Sequence, residues 1–475
     1  MAVIVVKGSD CIKADKITIA SGIPERTLMK RASRGFGDFL RTLPGRNFVF
    51  VIGRGNNAAD GVFASGFLKK QVEIFCVFPE ERINENLRWA IETSKRKVFF
   101  QASISRIKNS FKNADWIVDC IFGTGFRGEV KEPFKSVIQA INNSKTPVVS
   151  CDVPSGINSD TGQCQIAVKA NFTVTFGYPK LGLFLPPARD FSGSVRFVDI
   201  GLKKVKGLKN IELITPEEIL KKIPEREPSF NKYRAGHVLI FAGKMQGASI
   251  LAGLGALKSG AGLLTFFSEK KINFPEAIHI GADTNILNYI KRKKVKAVVW
   301  GCGWGREDAS LLEILEKIKV PKVIDADGIF LLKKFSLFRK LKNYILTPHT
   351  GEIRNLTSGK IVPPHSWKTL LRISRNINAP ILLKGHQTAI CDGKKVYINP
   401  TGNPILSTGG TGDLLSGMIA GFIAQGLNII DASRCAAYIH GLCADILFKE
   451  KGDRGFLVRE IAKKIPVAIR NIEKH

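Results

Sequence analysis

Over the first 200 positions, apolar residues come in short continuous runs rich in β-branched side chains. NFVFVIG (Asn47 to Gly53), VEIFCVF (Val72 to Phe78), DWIVDCIF (Asp115 to Phe122), PVVSCDV (Pro147 to Val153) and FTVTFG (Phe172 to Gly177) are the clearest. Runs of this kind mark strands covered on both faces, as in a mainly parallel sheet. Between them lie helix-like stretches such as Glu85 to Lys95 and Glu132 to Asn142. Strand and helix in alternation predict a doubly wound α/β domain. From Gly201 the texture changes. GLKKVKGLKN is basic and weakly patterned, TPEEILKKI predicts one short helix, and PEREPSFNKYRAGH is polar and proline-bearing. A boundary near residue 208 follows, giving domains 1–208 and 209–475. A second α/β series then runs through HVLIFAG, GLLTFF, KAVVWGCGWG, PKVIDADG, NYILTPHTGE and APILLKGHQTAICDG. It ends in the glycine turn STGGTGDLLSGMIAGF (Ser407 to Phe422). No internal repeat links the halves.

Composition narrows the class. With 44% hydrophobic residues the chain can build ordinary cores, and its longest apolar runs fall short of the ~18 residues of a membrane span. The start, MAVIVVKGSD, lacks the basic leader of a cleavable signal. Nine cysteines without a Cys-x-x-Cys pair argue against a disulfide framework or structural zinc and point to a reducing cytoplasm. The net charge of +31 is spread over both halves, with no basic tail and no basic-aromatic interleaving. It gives little support to nucleic-acid binding, and would steer anionic nucleotides.

Candidate chemistry lies at strand ends. In doubly wound sheets ligands bind beyond the carboxyl ends of the strands. Three glycine-rich loops stand there in the first half: GRGNNAADG (Gly53 to Gly61), DCIFGTGFRGE (Asp119 to Glu129) and CDVPSG (Cys151 to Gly156). Their convergence would gather Asn57, Asp119, Asp152 and Ser155, oxygen ligands and an acid/base carboxylate, around one pocket. The first loop also fits Gly-x-Gly-x-x-Gly/Ala, but Glu73 stands at the start of its strand, the wrong end to hold a ribose. A dehydrogenase is therefore the weaker reading. In the second half, Gly409, Gly410 and Gly412 allow a backbone turn whose N–H groups face a phosphate at a helix N-terminus. Asp413 stands there to take a proton from a hydroxyl. Asp325 and Asp327 in DADG are candidates either for substrate or metal contact or for capping the next helix, and are left off the catalytic set.

These motifs carry two resemblances. The first half resembles the YjeF N-terminal family of NAD(P)H-hydrate epimerases, through Asp119 with GTGFRG, Asp152 with PSG, and LMKRAS (Leu28 to Ser33). The resemblance implies a substrate site of Asn56, Asn57, Ala58, Ala59 and Asp60 with Gly123, Thr124, Gly125, Phe126, Arg127, Gly128 and Glu129. It implies Asp152 as the acid/base residue and K⁺ held by Asn57, Asp119 and Ser155. The family's NNGGDG reads NNAADG here, so alanines replace two glycines. Alanine is harmless if that backbone is helical and obstructive if it is left-handed. The second half resembles the ADP- or ATP-dependent NAD(P)H-hydrate dehydratases, of ribokinase-like fold, over nearly all of residues 225–475. NKYRAGHVLIFAG, GALKSGAGLLTF, GCGWG, DADG, TPHTGE, LLKGHQT and GGTGD occur in that order. That resemblance implies Lys384, Gly385, His386, Gln387, Thr388 and Gly412 at the adenine nucleotide. It places Ala248, Gly303, His349 and Asp413 at the hydrate, with Mg²⁺ and Glu352 acting through it. A homo-oligomer is implied as well. Metabolite repair of hydrated NADH and NADPH is the expected function; the alternative is a ribokinase-like small-molecule kinase with a non-catalytic Rossmann-like domain.

Overall fold

The computed structural model describes residues 3–204, 211–356 and 367–473. It divides into two compact units, Val3–Ile211 and Glu212–His475. The boundary expected at residue 208 lies outside the described residues.

The first unit holds strands β1 (Val3–Ile4), β2 (Asn47–Ile52), β3 (Gln71–Cys76), β4 (Val98–Phe99), β5 (Trp116–Cys120), β6 (Val148–Cys151), β7 (Phe172–Phe176) and β8 (Ser194–Val198). Seven of them form a sheet in the order β4-β3-β2-β5-β6-β7-β8, every pairing parallel. The continuous apolar runs have the expected cause. Phe48, Phe50, Ile52, Val118 and Cys120 enter one core, while Val49, Val51, Ile117 and Val148 enter another. Successive side chains on a strand point to opposite faces, so a sheet covered twice needs apolar residues at every position. The short β4 and the half-exposed β8 lack such runs and were not predicted.

Strand β9 (Ile211–Leu213) lies at the boundary, and the second unit continues with β10 (His237–Phe241), β11 (Leu263–Phe267), β12 (Ile278–Ile280), β13 (Ala297–Trp300), β14 (Lys322–Ile324), β15 (Tyr344–Leu346), β16 (Ile381–Leu383), β17 (Ala389–Cys391) and β18 (Val396–Ile398). Their order is β9-β18-β17-β16-β15-β14-β13-β10-β11-β12. The pairings from β12 to β16 are parallel, and β16-β17-β18 is an antiparallel meander. The helix Thr411–Ala424 is almost wholly buried and lies against the helix Gln246–Lys258. Close approach requires a glycine here: a Cβ on Gly417 would stand 1.8 Å from the Ala252 carbonyl oxygen. No helix among the described residues is long and apolar enough to cross a membrane.

Candidate active sites

The loops after β2, β5 and β6 converge on a cavity of about 840 Å³ in the first unit. Asn56, Asn57, Asp60, Gly123, Thr124, Gly125, Phe126 and Asp152 line it. Ala58 and Ala59 are fully buried in the helix Asn56–Ser65, on its core side and outside the lining. The backbone there is helical, so the two alanines are compatible with the loop's course. Arg127, Gly128 and Glu129 also fall outside the lining. Arg127 instead braces the loop, donating to the carbonyls of Thr124 and Phe126 and pairing with Asp160. Glu129 accepts from Gln165 at 2.8 Å.

Asp152 takes a left-handed φ of 65°, a conformation that costs a residue with a side chain about 1–3 kcal/mol and collects at functional sites. Its Oδ1 accepts from the Lys180 ammonium at 2.5 Å, the Thr175 hydroxyl at 3.2 Å and the Phe176 N–H at 3.3 Å. Its Oδ2 accepts from the Thr124 hydroxyl. Burial pushes the carboxyl up, but the Lys180 charge and these hydrogen bonds outweigh it and hold it below its ordinary value. The neighbouring Asp60 goes the other way: burial, reinforced by the Asp152 charge, lifts it well above. Asp15, on the helix Gly8–Ala20, is raised to about 6 by burial despite the attraction of Lys180. A carboxyl held ionised, Asp152, beside one held protonated, Asp60, is an acid/base arrangement.

Behind the lining, Asp119 is fully buried and accepts from the Ser155 hydroxyl (2.5 Å), the Ser155 N–H (2.9 Å) and the Ser150 hydroxyl (2.9 Å). Burial raises its carboxyl in spite of these bonds. Asn57 donates through Nδ2 to the Phe122 carbonyl at 3.0 Å, while its Oδ1 is buried with no partner. An unpartnered amide oxygen near hydroxyl, carbonyl and carboxylate oxygens is a donor set suited to a hard cation.

In the second unit the predicted residues again come from several strand ends. The helix Thr411–Ala424 starts behind Gly410, whose φ of 93° gives the sharp entry, and carries Asp413 in its first turn. Burial, then the nearby Asp325, raises the Asp413 carboxyl to about 6, while a Cys302 hydrogen bond and the Lys384 charge oppose the rise. Cys302, Asp325 and Asp413 bring their ligand atoms within 4.8 Å of one another. Lys384, just past β16, donates to Asp325 Oδ1 at 2.6 Å, and Ser416 donates to Oδ2 at 2.8 Å. A Cβ on Gly412 would stand 3.0 Å from the Lys384 ammonium, so that charge lies against the glycine turn. Gly385, His386, Gln387 and Thr388 form the hairpin turn between β16 and β17. Its geometry is held by Gln387, which donates to the Asn399 carbonyl at 2.6 Å.

His349 is exposed, and its Nδ1 accepts from the Gly351 N–H at 2.8 Å; Glu352 accepts from the His349 N–H at 2.8 Å. Both precede or begin the helix Thr350–Leu356, and His349 pairs with Lys384 in a parallel bridge. Gly303, at φ 63°, lies where an added Cβ would come within 3.0 Å of the Ala248 Cβ, so these two face each other. Asp325 does cap the helix Ala326–Lys334, donating nothing and accepting from the Ala326 N–H at 2.9 Å. It also pairs with Lys384 beside Asp413, which sequence reasoning missed. Asp327 is used structurally, accepting from Gly305 and Arg306. Lys180, Asp15 and Cys302 were missed too. For Lys180 a signal existed, because YPKLG follows directly on the carboxyl end of a predicted strand.

Two doubly wound units, each with carboxylates gathered at its strand ends, define an α/β enzyme with a Rossmann-like and a ribokinase-like part. The second unit is similar to a ribokinase-like superfamily protein of Enterococcus faecalis V583, with 26% identity, a TM-score of 0.51, and coverage of 57% of this chain and 99% of that one. Residues 25–182 match the family of the YjeF-related protein N-terminus, and residues 238–467 match the NAD(P)H-hydrate dehydratase family. Similarity to a bifunctional NAD(P)H-hydrate repair enzyme of Moorella thermoacetica is 32% identity over 90% of this chain and 88% of the relative. The enzyme of the same description from Dictyoglomus turgidum is 32% identical over 95% of both chains. The chain belongs to the family of bifunctional NAD(P)H-hydrate repair enzymes.

Proposed function

We propose that this chain returns hydrated NADH and NADPH to use. The first unit interconverts the R and S hydrates, and the second dehydrates the S form at the expense of ADP or ATP. The hydroxyl of the hydrate is a poor leaving group. Transfer of a phosphoryl group to it, with Asp413 accepting the hydroxyl proton, makes a good one; loss of phosphate then restores the ring double bond. The observation that carries this reading is Asp413 itself. It sits at a helix N-terminus whose N–H groups suit a transferring phosphoryl, with a carboxyl raised to about 6 and Lys384 alongside.

Lys384, Gly385, His386, Gln387, Thr388 and Gly412 hold the nucleotide in this reading. Ala248, Gly303 and His349 hold the hydrate. The cluster of Cys302, Asp325 and Asp413 is a poor Mg²⁺ cage, since it includes a thiol and Asp325 is already paired with Lys384 and Ser416. Glu352 is instead the residue that would meet, through water, a Mg²⁺ brought in with the nucleotide, and the chemistry such an ion would supply is neutralisation of phosphate charge. In the first unit Asp152 moves the proton, with Asn56, Asn57, Asp60 and residues 123–126 around the hydrate. Asn57, Asp119 and Ser155 hold K⁺, and the unpartnered Asn57 oxygen supports that assignment. A homo-oligomer in a reducing cytoplasm completes the reading, with all nine cysteines free.

The test is recovery of reduced-nicotinamide absorbance from mixed R and S hydrates with Mg²⁺, K⁺ and either nucleotide. Complete recovery is expected. Asp152→Asn stops after the S fraction and Asp413→Asn gives none. A stable phosphorylated product without recovered absorbance would show a small-molecule kinase instead.

A further inference from the structure

Lys180 is a fully buried cation that the proposed epimerase chemistry has not yet used. It lies four residues beyond the end of β7 and is 2% exposed. Its ammonium donates to Asp152 Oδ1 at 2.5 Å and to the Phe176 carbonyl at 2.7 Å. The backbone on either side is pinned: the Leu181 N–H donates to the Val6 carbonyl at 2.6 Å, and the Val6 N–H to the Pro179 carbonyl at 3.0 Å. An ammonium held this firmly fixes the carboxylate it meets.

The surroundings show what that contact must offset. Cys11 and Asp15 face the pair from the helix Gly8–Ala20, Asp60 from the helix Asn56–Ser65, and Cys151 from β6. Glu25, at the start of the helix Glu25–Thr42, adds its charge to Asp15. Arg54, the other basic residue in the lining, lies 5.1 Å over the Phe78 ring. Burial therefore works against an ionised Asp152, and Lys180 is the charge in contact with it.

We propose that Lys180 is a positioning residue for epimerisation, aiming the Asp152 carboxylate and keeping it able to accept the hydrate's hydroxyl proton. This rests on reading Asp152 as the base. The hydrate is a cyclic carbinolamine. As Asp152 takes the hydroxyl proton, the C–O bond becomes a carbonyl and the adjacent C–N bond breaks. Its electron pair passes to the ring nitrogen and into the conjugated carboxamide. Rotation of the aldehyde and attack of nitrogen on its opposite face re-form the C–N bond, and Asp152 returns the proton to oxygen. No atom or electron is gained or lost.

The experiment follows R-to-S conversion by chromatography, on the full chain without nucleotide, across a pH series. Lys180→Met should slow conversion at least about ten-fold at neutral pH and move the acid limb of kcat/KM upward by about one unit or more, with recovery on the alkaline side. Lys180→Arg should restore most of the limb position. Near-ultraviolet circular dichroism and the melting profile of the same samples report folding of the first unit, and their dehydratase turnover of pure S hydrate should match wild type. A uniform loss with an unmoved limb, or no loss, overturns the proposal. Should Lys180→Met lose both reactions, Lys180→Ala with added methylammonium decides: saturable recovery supports the proposal, and no recovery overturns it. Asp152→Asn epimerising at the wild-type rate would instead overturn the reading of Asp152 as the base.

Discussion

Replacing Asp413 with asparagine should abolish dehydration and at the same time stabilise the second unit. The carboxyl rises from its ordinary 3.8 to about 6, roughly two pH units. At about 1.4 kcal/mol per unit, the ionised form costs the folded state at most ~3 kcal/mol. Asp413 is only partly buried, so solvent screening reduces this to about 1–2 kcal/mol. The sign follows from proton binding. The folded state binds its proton more tightly, so the cost is fully present above the folded value and vanishes below the unfolded one. Asp413→Asn removes it. Calorimetry at about pH 8 should show the gain in full, and at about pH 5 roughly half of it. Nucleotide-dependent recovery of the S hydrate should fall about 10²–10⁴-fold or more, the range for loss of a general base. A gain that does not vary with pH, or turnover kept within ten-fold, would refute the reasoning.

Lys384→Met leaves Asp325 buried without its cation, so a loss of about 3–5 kcal/mol in denaturant titrations is expected, together with a higher KM for nucleotide. Ala59→Gly should cost about 1 kcal/mol and leave epimerisation unimproved, because the position is helical and buried. A marked rise in epimerase rate would contradict the helical reading. Gly417→Ala forces a Cβ to within 1.8 Å of the Ala252 oxygen, so the helices Gln246–Lys258 and Thr411–Ala424 must separate. A loss of about 3 kcal/mol or more and a lowered melting temperature are expected.

The doubly wound architecture was written in the chain wherever a strand is central. NFVFVIG and DWIVDCIF must be apolar at every position because both faces of β2 and β5 are covered, and that demand shows in one dimension. The glycine turn before Asp413 was equally legible, since a left-handed residue at a helix start leaves a compositional mark. Peripheral strands such as β4 and β8 escaped, because a short or half-exposed strand needs no continuous run. What tertiary structure alone decided is the state of each charged group. Asp152 and Asp60 look alike in sequence, yet one meets the Lys180 ammonium and the other does not. Their carboxyls consequently shift in opposite directions. Asp325 carries the sequence signature of a helix cap and is one. Its second role depends on Lys384 and Asp413, which lie 59 and 88 residues further along the chain. Coulomb and burial effects act over a few ångströms in space, and chain order fixes such distances only after folding.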